Sequence, residues 1–204
     1  MNLFKVIIIV MIGFTSICCK NQTNKTTNLE NLNGKESIDK ESKYLINEKG
    51  VLGLFIGETM QEKLDGYKLI KSVKIVDEGN EEPIIKVIEG NTEILQISFD
   101  YNSENGSFSN KIGEILIKDR KFKTKENVGV ETSIEDFIRS YSNYRIWYTY
   151  ISGNYVIESK DKEIQFLLDE SGYVGKKNLM ESDRVELVKE EFSSNTKIIA
   201  IRIF

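Results

Sequence analysis

Two stretches of this chain share one order of residue types, and that order sets the architecture to expect. Leu54–Tyr67 reads LFIGETMQEKLDGY and Val128–Tyr141 reads VGVETSIEDFIRSY. At one constant offset Leu54 meets Val128, Ile56 meets Val130, Thr59 meets Ser133, Met60 meets Ile134, Leu64 meets Ile138 and Tyr67 meets Tyr141. Thr59 and Ser133 carry hydroxyls that can accept a bond from an orphan N–H at a helix start. Glu62 and Asp136 follow three residues later, where a carboxylate can reach back to the cap and favours the positive end of the helix dipole. Alternating apolar residues before each cap predict a short extended lead-in. Each match therefore predicts a helix of about two to three turns, with Gly66 ending the first.

Beyond each helix the apolar period changes to two, the mark of half-buried strands. In the first half the expected strands are Lys68–Val76, Ile84–Glu89, Ile94–Asp100 and Lys111–Lys118. In the second they are Arg145–Ile151, Tyr155–Ser159, Glu163–Leu168 and Lys197–Phe204. The closing strands also correspond, KIGEILI (Lys111–Ile117) against KIIAIRI (Lys197–Ile203), and an insert before the last strand is expected to hold a short helix around Arg184–Phe192. The expected fold is α+β. It comprises two tandem helix-plus-four-stranded antiparallel sheet units, a first α+β repeat over residues 43–122 and a second over 123–204.

The segment before these units reads as an address. Lys5 precedes Val6–Phe14 (VIIIVMIGF), and Thr15, Ser16, Ile17, Cys18, Cys19 and Lys20 follow. A basic start, a short apolar run and a small-residue exit make a secretory signal, too short to span a bilayer of roughly 30 Å with certainty. The exit resembles the lipobox of bacterial lipoprotein precursors, in which a cysteine becomes the lipidated first residue of the mature chain. Cys18 is the more tolerable neighbour before the cleavage point than Ile17, so Cys19 is the expected lipidation site, with Cys18 as the alternative. The resemblance implies a signal peptide over 1–18 and a membrane-held product. Residues 19–42 are rich in Asn, Thr, Lys and Glu, with few aliphatic side chains. That composition predicts a flexible polar tether.

Composition then removes several functions. Net charge is −4, with 28 basic residues scattered among 32 acidic ones. Without a basic face, nucleic-acid binding is disfavoured. Histidine is absent, and both cysteines sit at the exit of the signal. The body thus has no imidazole base, no thiolate nucleophile and no Cys or His metal ligand. No cofactor or metal is expected, and the chain is read as not an enzyme. Asp77–Glu82 groups four carboxylates around a Gly-Asn turn, which could hold calcium, but it reads better as a solvated hairpin tip. Asp100–Gly106 fails the calcium-loop pattern, because Asn105 and Lys111 stand where glycine and glutamate are needed. Tyr141–Tyr150 (YSNYRIWYTY) is the most aromatic stretch. Packing explains most such aromatics; Tyr144 and Trp147 are the residues singled out as a binding patch.

The GVLGLFIGET segment and its later counterpart resemble small lipoproteins of unknown function, and the joint KIGEILIKDRKFKTKENVGV resembles that of the envelope-stress-regulated lipoproteins. The helix-plus-sheet plan is similar to that of β-lactamase-inhibitor-protein repeats and of the small lipoprotein of the outer-membrane assembly machine. This likeness implies a lipid-anchored envelope protein, the outer membrane being the favoured destination and the leaflet left open. A non-enzymatic module binding an envelope protein is the expected function, and a small-ligand or lipid-binding module is the alternative.

Overall fold

A computed structural model describes residues 43–76 and 79–204. The signal segment, Cys18, Cys19 and the tether lie outside the described residues, as do Asp77 and Glu78 of the acidic turn. Among the described residues, no helix is long and apolar enough to cross a membrane.

The first strands among the described residues form a small antiparallel pair, β1 (Gly50–Val51) and β2 (Leu54–Phe55). The strands β3 (Lys68–Ile75), β4 (Glu81–Glu89), β5 (Thr92–Asn102) and β6 (Ser107–Ile117) then run as an antiparallel meander. A helix, α1 (Ile134–Ser140), leads into β7 (Tyr144–Thr149), β8 (Asn154–Ser159) and β9 (Ile164–Leu168). Finally β10 (Arg184–Leu187) and β11 (Ile198–Ile203) complete one nine-stranded sheet in the order β10-β7-β8-β9-β11-β6-β5-β4-β3.

Strand alternation builds the core. Leu187, Ile146, Ile157, Phe166, Ile201, Ile117, Leu95, Val87 and Leu69 pair side by side in one unbroken row across all nine strands. Seven of these nine have essentially no exposure, and all belong to one apolar cluster. Because successive strand residues point to opposite faces, this row fixes a single covered face. The covering layer is α1 through Ile134 and Phe137, the β1–β2 pair through Val51 and Leu54, and the turns that carry Tyr173 and Phe192.

The expectation of two α+β units is overturned. The chain is mostly strand, the sheet is continuous, and one helix of seven residues is found among the described residues. The eight strands lie where alternation placed them, within a few residues. What fails is the first helix. Thr59–Tyr67 turns without becoming helical, closing on Tyr67 N–H to the Leu64 carbonyl at 3.0 Å, with Gly66 at φ 82°. The reason is one side chain. In the second stretch Ile134, Phe137, Ile138 and Tyr141 complete a helical stripe at i, i+3, i+4 and i+7. In the first, Lys63 stands at the position of Phe137. So short a helix survives only by tertiary packing, and a lysine cannot supply the buried ring. The expected helix around Arg184–Phe192 is corrected too. Its first part is β10, where Val185 and Leu187 alternate inward against β7, and its end is a 3-10 turn at Lys189–Glu191.

The two matching stretches nevertheless follow the same backbone path. Gly57 and Glu131 donate to the carbonyls of Ile112 and Ile198, each at 2.8 Å, and Met60 and Ile134 donate to Asn110 and Thr196, each at 2.9 Å. Gly53 and Asn127 share positive φ, as do Gly57 (80°) and Glu131 (69°). Both stretches thus clip onto the closing strand of their half, and only the second proceeds into a helix. There Ser133 Oγ accepts from the Asp136 N–H at 3.1 Å and donates to its carboxylate at 2.6 Å. With this cap removed, Ser133→Ala is expected to cost about 1 kcal/mol, measurable by urea denaturation.

Candidate interaction face

Every covering element lies on one side of the sheet. The opposite side carries a second, small apolar cluster made only of strand residues: Val156, Leu167 and Ala200, with Leu116 and Trp147 packed against them. No helix or loop residue contributes to it. Trp147, Val156, Leu167 and Ala200 are consecutive partners across β7, β8, β9 and β11. Beside them, in the same pairing sense, runs a row that is polar except for Leu116: Arg145, Glu158, Gln165, Arg202, Leu116, Gln96 and Lys86.

The two sequence-selected residues are not brought together. Tyr144 and Trp147 are three apart on one strand, so they point to opposite faces. Tyr144 packs against the main core, and Trp147 lies on the open face. Arg184 on β10 holds its guanidinium 4.2 Å from the Trp147 ring centroid, a stacked cation–π arrangement. The indole N–H of Trp147 is buried without a hydrogen-bond partner. An orphaned donor beneath an arginine carries a desolvation cost.

Charge pairing stiffens the rest of the face. Arg145 pairs with Glu158, whose residue is only 6% exposed. Arg202 Nε lies 3.0 Å from a Glu114 carboxylate oxygen, an ion pair without hydrogen-bond alignment, and its guanidinium also reaches Gln165 Oε1 at 3.5 Å. Glu93 bridges Lys118 and Lys86; although burial opposes it, these lysines hold the Glu93 carboxyl below its usual range. Sequence reasoning named Trp147 and missed Arg184, Arg145 and Arg202. The available signal was strand parity combined with pairing order, and pairing order is not written in a local stretch.

A different polar cluster sits at the edge of the covered side. The Tyr44 hydroxyl donates to Glu89 at 2.6 Å, and Lys121 binds the other oxygen of the same carboxylate. Burial, followed by the Glu89 and Tyr67 contacts, keeps the Tyr44 phenol well above its ordinary value, while the Lys121 bond draws Glu89 down. The Tyr67 hydroxyl is buried with no partner in hydrogen-bond geometry. Lys43 lies over the rings of Tyr67 and Tyr44, at 4.8 and 5.4 Å. These links fasten the first described residues to the sheet.

Of the four carboxylates of the acidic turn, Glu81 and Glu82 are described. Glu81 and Glu82 belong to β4, and Glu82 pairs with Lys74 at 2.7 Å. Asp100 and Asn102 belong to β5. Among the described residues no group of three or more Asp, Glu, Cys or His side chains is placed to hold a metal ion.

No protein-family model matches the chain, and no curated protein does. Among solved structures it is similar to the crystal structure of the uncharacterized protein yfeY from Escherichia coli, with a TM-score of 0.53 and 19% identity. The match covers 79% of this chain and 98% of the other. At that identity the likeness is one of fold.

Proposed function

We propose that this protein is a lipid-anchored, non-enzymatic envelope module that binds a folded protein partner across its open sheet face. The observation that carries the reading is the Trp147–Val156–Leu167–Ala200 strip, an apolar patch of strand residues alone on the sheet side opposite the core. Val156, Leu167 and Ala200 are themselves buried, so the surface a partner would meet is the Trp147 ring with Arg184 and the charged row beside it. A strip that ends in a tryptophan stacked with an arginine, with ion pairs beside it, has the composition of a protein–protein hot spot. Small-molecule sites are mostly apolar, whereas the recess of about 720 Å³ that Arg145, Glu158 and Gln165 line on this face is walled almost wholly by charged and polar side chains. The space between helix and sheet is filled by Phe137, Tyr141 and Phe166, whose rings stand 4.9 and 5.0 Å from Phe137. That filling counts against the small-ligand alternative. The anchor at Cys19 belongs to the same proposal and rests on the sequence of the signal segment.

The test compares faces. A photo-crosslinking side chain placed at Gln165, on the open face, is expected to give a protein adduct of defined mass in intact cells. The same group at Ser140, on α1, is expected to give none. Trp147→Ala should weaken the complex by about 2 kcal/mol, roughly thirtyfold in affinity, with the circular dichroism of the sheet unchanged. Adducts from Ser140 as abundant as from Gln165, or adducts indifferent to Trp147→Ala, would remove the open face as the partner's site.

A further inference from the structure

The entry point of the chain has a chemistry of its own. Residues 44–46 lie alongside Lys123: Ile46 N–H donates to the Lys123 carbonyl at 2.8 Å and Lys123 N–H to the Tyr44 carbonyl at 3.2 Å. The partner segment Lys118–Lys125 reads KDRKFKTK, five cations in eight residues. An open recess of about 540 Å³ forms where the two meet, lined by Lys121, Lys123, Lys125, Tyr44, Leu45 and Asn127, and no carboxylate lines it. Leu45 is 45% exposed at its mouth.

The charge here is only partly matched. Lys121 is held by Glu89, and Lys123 donates from Nζ to the Val130 carbonyl at 3.3 Å. Lys125 and Lys43 have no ion pair among the described residues. The acids nearby are already engaged: Glu89 and Asp119 with Lys121, Glu131 with Arg120, and Glu48 and Glu126 with Lys162 at 3.6 and 3.2 Å. Lysines with apolar stems around an exposed leucine suit an anionic group presented at an apolar boundary.

We propose that this recess and its lysines dock on the anionic headgroups of the membrane that holds the anchor. Two observations select that occupant. The recess is positive, complementing a negative leaflet. The described chain also starts at this recess, so an anchor at Cys19 raises the effective concentration of headgroups there through the tether. The proposal rests on the lipid-anchor reading. It leaves the open sheet face directed elsewhere, available to a partner.

The experiment uses the mature protein purified from membranes. Mass spectrometry of its N-terminal peptide reports the anchor. Amine-reactive footprinting in nanodiscs then reports the face. Lys121, Lys123 and Lys125 should lose labelling several-fold in discs containing phosphatidylglycerol relative to phosphatidylcholine alone. Lys176, exposed on the connection before β10, should not change. Labelling should return near 1 M salt, where the screening length falls to about 3 Å. Acyl chains with equal labelling in both discs would overturn this proposal alone. A missing acyl modification would overturn it together with the anchor. Equal protection in phosphatidylcholine discs on adding inorganic phosphate would show a soluble-anion site and also overturn the membrane assignment.

Discussion

Phe137→Ala is expected to destabilise the protein by about 3–5 kcal/mol, the range for truncating a fully buried phenylalanine. The ring has no exposure and sits 5.0 Å from Phe166 on the sheet and 4.9 Å from Tyr141 at the helix end. Its removal opens a void under the helix and takes away the packing that keeps seven residues helical. Tyr141 is tied in as well, its hydroxyl bonding Thr124 at 2.9 Å and Glu126 at 2.8 Å. Unanchoring that ring loosens the joint between the halves. Urea unfolding followed by circular dichroism gives the number. Phe137→Leu should cost much less, since most of the volume is kept. A loss below about 1 kcal/mol for the alanine variant would mean that the helix is not held by this side chain.

How the sequence maps onto this fold can be read from particular residues. Alternation located the strands because one face of each is buried and the other is not, a condition that leaves a period in any local window. The two cap-bearing stretches were legible as relatives for a physical reason: both clip onto a closing strand with the same backbone bonds. Their common end state was not legible. Thr59 and Glu62 offer the same capping chemistry as Ser133 and Asp136, yet Lys63 in place of Phe137 leaves the cap without a helix to start. Local propensity cannot outweigh a missing core contact.

The joining of all strands into one sheet was also invisible. It depends on β6 accepting β11 as a neighbour, a pairing of segments far apart in sequence. The binding patch suffered from the same gap. Tyr144 and Trp147 are neighbours in the sequence and strangers across the sheet, whereas Arg184, distant in sequence, lies on the indole. Parity along β7 could separate the first two. Only the β10–β7 register, with Glu186 opposite Trp147 and Arg184 opposite Thr149, supplies the third.

Ile201→Ala tests whether the sheet is one cooperative body. Ile201 lies on β11 between Ile117 of β6 and Phe166 of β9, with no exposure. Only three residue pairs join β11 to β6: Ile201 with Ile117, Arg202 with Leu116, and Ile203 with Ile115. Truncation to alanine is expected to cost about 2–5 kcal/mol. The loss falls on the seam, so its cooperativity is as informative as its size. Trp147 is the single tryptophan and belongs to the second half, while circular dichroism reports strands of both halves. In a continuous sheet with one core the two signals must fall together along the urea axis, in the variant as in the parent. A fluorescence transition that departs from the dichroism transition in the variant would show the halves unfolding separately, and the seam would then be a contact between two bodies rather than the centre of one.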